Sequence, residues 1–449
     1  MNVLHQILSR IRNSVITRLL VIAGLVMCLL IPVTMIKDVI SEREMRREGV
    51  IKEVSSKWGG EQTIAGPILT VPYTEYITDE KGRKKTSIAH AHLLPDQLNV
   101  TGTVKPEVRY RGIYQVVLYN AELQVNADFR RKGLAELGIA EKDFHWEGAT
   151  ISIGIPDLCG LKENTPITWN NETIPINSGI NAPPMMESGV SARVPVSSRQ
   201  DKYSFRMHLN LNGSGQISFI PLGKVTTVQL SSPWKNPSFT GLFLPDKRVV
   251  NDRGFSASWK VLNLNRNYPQ QWAGQDEEVL KSAFGAQFFC PVDEYQKSMR
   301  SAKYAVLFIV LTLVAFFLTE VTNKTRVHPI QYLLIGFAIC LFYLLLLSIS
   351  EHTSFALAYP VSAVAATLLV AGYSKGILKS IRIAITIGAL MSFLYGFLYV
   401  TLQLEDYALL IGSVGLFVVL GVVMYLTRKI DWYAIATVEE TDPQGSIQP

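Results

Sequence analysis

The sequence predicts a mixed fold: a six-helix α-helical transmembrane bundle plus a large extracytoplasmic, mainly antiparallel β domain, sandwich-like or barrel-like. Apolar runs long enough to cross a bilayer follow one another in the C-terminal third. Apolar and polar residues alternate through a long, polar middle segment. With 449 residues, 48% hydrophobic and 18% charged, the chain is too apolar for disorder and too long for one ordinary domain. The mean hydropathy of +0.20 averages these two unlike regions.

The first apolar run, residues 19–36, contains no charge and follows three arginines. Lys37 and Asp38 come next, rather than a small-residue cleavage site, so we interpret the run as an uncleaved signal anchor. The alternative, a cleaved signal peptide, would remove one span and change nothing else.

Five further apolar runs bring the number of candidate spans to six. They cover residues 304–319, 330–350, 354–374, 383–404 and 407–427. The predicted order is a cytoplasmic N-terminus (1–18), the anchor (19–36), an extracytoplasmic β-rich domain (37–303), a five-helix bundle (304–427) and a cytoplasmic polar tail (428–449).

The distribution of Lys and Arg predicts the orientation. Ten of these residues lie in the short segments on one side of the spans, and none lies in the two short loops on the other side. The ten are Arg10, Arg12, Arg18, Lys324, Arg326, Lys375, Lys379, Arg382, Arg428 and Lys429. Because cytoplasmic loops are enriched in these residues, both termini should be cytoplasmic and the β domain periplasmic. The same bias explains the net charge of +6, and nothing in the sequence suggests nucleic-acid binding.

Strict alternation over residues 203–211 and 123–129 predicts strands with one buried face. Residues 151–155 and 255–259 resemble further strands. The turn residues 212–215 precede another short apolar run, 217–220, which predicts a hairpin with the strand at 203–211. The sequence leaves open whether the β region forms one domain or two.

Few helices are predicted outside the membrane. Residues 38–58 are rich in charges of both signs and should continue the first span outward as a stalk. Residues 275–288 and 293–303 are predicted helices that lead back into the second span.

No catalytic motif is visible, so the sequence does not support an enzyme, and it predicts no cofactor and no metal site. His90 and His92 would share one face of a strand, but no third ligand is apparent and a solvated strand face is preferred. Of four cysteines, only Cys159 and Cys290 lie outside the apolar runs, so one disulfide between them is left open.

The six apolar cores contain no ionisable residue, which disfavours an ion-coupled transporter. Glu320, His328, Glu351, His352 and Glu405 all lie at span ends, where we expect hydrated interfacial groups. A lipid-handling bundle with a purely apolar groove would leave the same pattern. Small residues such as Ala363 are interpreted as helix-packing positions.

Several segments resemble the CreD family of bacterial inner membrane proteins across nearly the whole chain. They include His328-Pro329-Ile330-Gln331-Tyr332-Leu333-Leu334, Ser350-Glu351-His352-Thr353, Gly66-Pro67-Ile68-Leu69, Phe243-Leu244-Pro245 with Arg248, and Arg428-Lys429-Ile430-Asp431-Trp432-Tyr433. The resemblance implies an inner-membrane location and a link to cell-envelope integrity. Several members of the family are controlled by a two-component envelope or nutrient sensor, so the resemblance also implies a role in a stress response. It supplies no mechanism.

The leading hypothesis is a non-enzymatic envelope factor that lies in the lipid bilayer and binds an envelope component or a periplasmic protein through its β domain. The alternative is a transporter or flippase of a hydrophobic envelope precursor, and a hydrolase acting from the β domain is a third hypothesis. Glu351 and His352, an acid beside a base in a short loop, and Arg248, expected on a loop of the β domain, are the candidate functional or partner-contact residues. Structural roles are predicted for the family-motif residues, which are His328, Pro329, Gln331, Tyr332, Asp431 and Trp432.

Overall fold

The computed structural model describes residues 15–78, 84–180, 188–274, 278–288, 294–323, 327–404 and 407–428. The chain forms two compact units. The β unit comprises residues 47–291, and the helical unit comprises residues 1–46 and 292–449.

The described residues contain seven α-helices, which account for the helical unit and the start of the β unit. They are α1 (Val15–Trp58), α2 (Glu294–Lys303), α3 (Ala305–Asn323), α4 (Pro329–Ser350), α5 (Phe355–Leu378), α6 (Ile381–Gln403) and α7 (Ala408–Thr427). As predicted, the first apolar run and the charged segment after it form one uninterrupted helix, α1. Within α1, ion pairs between Glu42 and Arg46 (2.6 Å) and between Glu53 and Lys57 (2.7 Å) link successive turns.

Within the described part of the chain, five helices are long and apolar enough to cross a membrane: α1, α3, α4, α5 and α6. The sixth predicted span corresponds to α7, whose described apolar segment, Leu410–Tyr425, is shorter. A five-span count over the described residues is therefore what length and composition support.

Seventeen strands are present in the described residues, all in the β unit. They are β1 (Gln62–Thr78), β2 (Lys84–Leu93), β3 (Gln97–Arg111), β4 (Tyr114–Arg130), β5 (Thr150–Gly154), β6 (Ile167–Trp169), β7 (Glu172–Ile174), β8 (Asn177–Ser178), β9 (Gly189–Arg193), β10 (Lys202–Ser214), β11 (Gln216–Phe219), β12 (Val225–Ser232), β13 (Pro237–Gly241), β14 (Lys247–Asn251), β15 (Gly254–Leu262), β16 (Gln271–Ala273) and β17 (Phe284–Phe288).

These strands form two sheets over the described residues. The first has the order β13-β17-β11-β1-β5-β9-β8, with β2 paired to β1 and β16 paired to β2. The second has the order β14-β15-β12-β3-β4-β10-β6-β7. Pairing is mainly antiparallel, as predicted, and β1 with β11 and β3 with β12 are parallel pairs.

Both sheets contribute buried side chains to one contiguous hydrophobic core. Aromatic rings join the two sheets: Trp259 of β15 packs on Phe284 of β17 with ring centroids 5.8 Å apart, and Tyr119 of β4 packs on Phe288 at 5.2 Å. The β region is therefore a single two-sheet domain, which answers the question left open by the sequence.

Two predictions for this region are wrong. The runs 203–211 and 217–220 do not form a hairpin, because β10 pairs with β4 and β6 whereas β11 pairs with β1 and β17 in the other sheet. Gly215, at a positive φ of 66°, lies where the chain passes between sheets. The predicted helix at 275–288 is wrong over its described part, residues 278–288, which forms a 3₁₀ turn, Val279–Ser282, followed by β17. Residues 275–277 lie outside the described residues. The predicted helix at 293–303 is confirmed by α2.

Candidate functional sites

Glu351 follows α4 directly and lies in the helical unit with only 10% of its side chain exposed. Its Oε1 atom accepts a hydrogen bond from the Tyr295 hydroxyl of α2 at 3.2 Å. The Arg43 guanidinium of α1 lies 3.7 Å from the same oxygen. Glu351 therefore links the C-terminal end of α4 to α1 and α2. Sequence reasoning missed both partners, because each is distant along the chain and no local pattern marks it.

His352 does not share this environment. Its side chain is exposed, while its backbone N–H donates to Ile349 at 3.1 Å in the tight turn between α4 and α5. No hydrogen bond or ion pair joins Glu351 to His352 among the described residues. The two neighbouring side chains therefore lie in different environments, and a joint functional role for Glu351 and His352 stays a prediction.

The segment from His328 to Tyr332 starts α4. The Gln331 side chain accepts a hydrogen bond from the His328 backbone N–H at 2.9 Å, and His328 Nδ1 accepts one from the Ile330 N–H at 3.3 Å. Pro329 occupies the first turn, where it has no N–H to leave unpaired. Three of the residues assigned structural roles therefore define the start of this helix.

Tyr332, one turn further on, binds Glu320. The Tyr332 hydroxyl donates to Glu320 Oε2 at 2.7 Å, and Arg18 of α1 lies 3.2 Å from Glu320 Oε1. The expectation of a hydrated Glu320 is wrong, because only 5% of its side chain is exposed. Burial is tolerated because both carboxylate oxygens have a donor.

The two carboxylates form matching clusters: each pairs with an arginine of α1 and a tyrosine of another helix. Arg18 and Arg43 are separated along α1 by about 37 Å at 1.5 Å per residue. Between them, Leu29 of α1 is fully buried against Gly336 of α4, where a Cβ would overlap the leucine side chain. These three contacts fasten α1 to the bundle at Arg18, Leu29 and Arg43, and α1 continues beyond them to Trp58.

Arg248 lies on β14, and the prediction that it occupies a loop is wrong. It pairs with Ala257 of β15, and the strand runs along the edge of the second sheet. Every residue of β14 is exposed, including Val249 (62%) and Val250 (47%). Phe243-Leu244-Pro245 leads into this strand, and Leu244 is 69% exposed.

His92 is the only fully buried histidine among the described residues. Its Nδ1 lies 3.0 Å from the Thr70 hydroxyl, and its ring packs on Trp272 at 5.2 Å. Burial lowers the pKa of His92 to about 4, so the ring is neutral at physiological pH. The described residues hold no group of three or more His, Cys, Asp or Glu side chains placed to bind a metal ion.

Cys159 is an exposed free thiol whose pKa is raised chiefly by the charge of nearby Asp157. The other half of the disulfide left open by the sequence, Cys290, lies outside the described residues. Asp431 and Trp432 also lie outside them.

The comparisons with known proteins agree with the motifs. The family described as inner membrane protein CreD matches residues 14–433. Inner membrane protein CreD of Escherichia coli (strain K12) is 33% identical over 422 residues, covering 92% of each chain.

Solved structures that align with this chain include two that cover little more than a third of it. The crystal structure of an M1 zinc metallopeptidase from Deinococcus radiodurans aligns at 11% identity over 37% of this chain and 38% of that chain, with a TM-score of 0.18. A mutant M1 zinc metallopeptidase from the same organism, bound to a Tyr-Ser-Ala substrate, gives 10% identity and a TM-score of 0.16 over 37% of this chain and 39% of that chain. These values carry no structural argument. The family match and the bacterial relative show that this chain belongs to the CreD family of inner membrane proteins.

Proposed function

We propose that this protein supports cell-envelope integrity without catalysis, by binding an extended segment of a periplasmic protein along β14. Six helices would cross the inner membrane, with α7 as the sixth span, both termini in the cytoplasm and the β unit in the periplasm. The family match and the Lys and Arg distribution support this placement.

The observation that carries the proposal is the open edge formed by β14. Its hydrogen-bonded neighbour in the described part of the chain is β15, and its other side has no strand there. Soluble domains normally shield such an edge, because unpaired N–H and C=O groups recruit further strands. Lys247 and Arg248 shield the first part of β14, whereas Val249 and Val250 leave the rest of the edge apolar and exposed.

The pairing register indicates which backbone groups are free. Asn251 and Gly254 flank a two-residue turn, so this pair and the pairs at Val249 and Lys247 carry the ladder hydrogen bonds. The N–H and C=O groups of Arg248 and Val250 therefore point away from β15. An added strand would bond to these groups.

The side chains indicate the partner's chemistry. Val249, Val250 and Leu244 offer apolar contacts, and Lys247 and Arg248 form no ion pair within the described residues. An extended peptide that alternates apolar with acidic residues fits both features.

The test is site-specific photo-crosslinking in intact cells that express the full-length protein. A photoreactive amino acid replaces Val250, and the control carries it at Thr101, which is exposed on the central strand β3 and has no free edge beside it. We expect a discrete protein adduct from position 250 and none from position 101. Equal adducts from both positions, or none from position 250, would contradict the proposal.

A proline tests the backbone contact itself. In the Val250 crosslinking background, Arg248→Pro removes the outward N–H, whereas the control Arg248→Ala keeps it. We expect Arg248→Pro to lower the adduct yield about fivefold beyond Arg248→Ala, the effect of roughly one net hydrogen bond. Equal yields from the two variants would show that the edge does not accept a strand.

A second candidate function, transport or flipping of a hydrophobic envelope precursor, is favoured by one observation. An apolar groove opens between α5 and α6 in the helical unit.

A further inference from the structure

The groove between α5 and α6 has a volume of about 460 Å³. This volume lies within the range of roughly 300–1,000 Å³ that small-molecule sites occupy. Its lining includes no charged side chain. Ala356 and Ala363 of α5 form one wall, and Gly396 of α6 belongs to the other.

Small residues keep the groove open. At Gly388 the two helices are in contact, because a Cβ there would lie 3.4 Å from the Ala371 Cβ. At Gly396, about 12 Å further along α6, a Cβ would meet nothing within 4 Å. Pro360, which lines the groove on α5, lacks the N–H of a regular helical position. Ala363, interpreted from the sequence as a packing position, thus lines an unfilled space.

Two buried tyrosines, Tyr359 and Tyr395, form the floor of the groove and hold it rigid. The Tyr359 hydroxyl donates to the backbone oxygen of Tyr395 at 2.8 Å, and both side chains are 2% exposed. The Tyr395 ring packs on Phe342 of α4 at 4.5 Å and on Phe308 of α3 at 5.4 Å. Because the floor is braced by two further helices, the groove cannot close by simple rotation of these rings.

The surroundings identify the occupant. Both helices are long and apolar enough to span a membrane, and in a bilayer the groove would open to lipid hydrocarbon rather than water. An empty groove would forfeit dispersion contacts along its whole length. An acyl chain supplies those contacts and requires no charged or hydrogen-bonding partner from the lining.

We propose that this groove is a binding site for a single acyl chain of a membrane phospholipid. The chain lies against Tyr359 and Tyr395 and is held longer than lipids at the outward faces of the bundle. Binding of an acyl chain in this groove requires neither peptide binding at β14 nor movement of lipid across the membrane.

The test uses the full-length protein in vesicles of phosphatidylethanolamine and phosphatidylglycerol. A trace of phosphatidylglycerol carries a diazirine on one acyl chain, and illumination is followed by peptide mapping. We expect adducts to concentrate on the groove residues of α5 and α6 over the exposed residues of α7. Uniform labelling of all apolar helices would overturn the proposal.

Variants make the test specific. Gly396→Leu places a side chain in the groove, and Gly372→Leu makes the same change at an α5 position where a Cβ also meets nothing within 4 Å but which does not line the groove. We expect groove labelling to fall to the α7 level in Gly396→Leu and to remain unchanged in Gly372→Leu. Persistent labelling in Gly396→Leu would contradict the proposal.

Thr367→Leu fills the groove from the opposite wall and covers the case in which Gly396→Leu does not fold. Labelling should again fall to the α7 level. An unchanged adduct pattern in this variant would likewise reject an acyl-chain site. Because β14 is untouched in these variants, the crosslinks from position 250 serve as a separate readout of the proposed function.

Discussion

Glu320 and Glu351 have the same kinds of partner but lie in different environments. Glu320 is 5% exposed, with its arginine at 3.2 Å and its tyrosine at 2.7 Å. Glu351 is 10% exposed, with its tyrosine at 3.2 Å and its arginine at 3.7 Å. The shorter distances and deeper burial make the Glu320 cluster the stronger of the two attachments of α1.

The carboxylates at the ends of predicted spans therefore differ in burial and in the strength of their contacts. About 37 Å of α1 separates the two arginines, somewhat more than the roughly 30 Å hydrocarbon thickness of a bilayer. In the proposed placement of α1 across the membrane, each cluster would lie near one membrane boundary, where an ion pair is far less costly than at the bilayer centre. Such charged residues attach a helix to its neighbours, and they need not bind or relay an ion.

The largest expected effect comes from disrupting the packing of Leu29 on Gly336, which lies between the two carboxylate clusters along α1. Gly336→Leu would force its side chain into Leu29 and should destabilise the helical unit by about 3 kcal/mol, because overpacking a buried contact displaces the helices. Unfolding of the full-length protein by sodium dodecyl sulfate in mixed micelles measures the change. Gly372→Leu, where a Cβ meets nothing within 4 Å, is the control and should be near neutral.

Glu320→Gln should destabilise the protein by about 2 kcal/mol, since it removes the charge that pairs Arg18 and weakens the Tyr332 hydrogen bond. The same unfolding titration measures it. In a double-mutant cycle with Arg18→Gln, the two effects should be clearly less than additive. Additive effects would show that the pair does not fasten α1.

Glu351→Gln should have a smaller effect, about 1 kcal/mol or less, because Arg43 is 39% exposed and lies at 3.7 Å. High salt should reduce the Glu351→Gln effect more than the Glu320→Gln effect. If Glu351→Gln were the more destabilising substitution, the ranking of the two clusters would be reversed.

Local features of the fold could be predicted from the sequence. Alternation predicts β4, β10 and β15, because one buried face imposes a period of two. Residues 151–155 also resemble a strand in sequence, although every residue of β5 is buried. Which strands pair could not be predicted. Gly215 directs the chain into the other sheet, and no local pattern distinguishes that path from a hairpin.

The candidate sites likewise depend on contacts between residues that are distant in sequence. Glu351 and Arg248 could be selected from their neighbours in sequence, yet their partners could not. Arg43 and Tyr295 come from distant helices, and the edge position of Arg248 depends on the order of strands in the sheet. The groove could not be predicted either, because small residues in a span fit close packing and an open space equally well.

Binding at β14 requires that the β unit lies in the periplasm, where an envelope partner could reach it. Cys159 is an exposed thiol in that unit, whereas Cys28 lies in the first predicted span and Cys340 is buried in α4. The most direct measurement is labelling of Cys159 in intact cells with a membrane-impermeant maleimide, in a Cys290→Ser background. Because Asp157 raises the pKa of this thiol, labelling should be slower than that of an ordinary exposed cysteine, and it should still become faster from pH 7 to pH 8 as thiolate forms. We predict full labelling without lysis. Labelling that requires lysis would place the β unit in the cytoplasm and contradict the proposal.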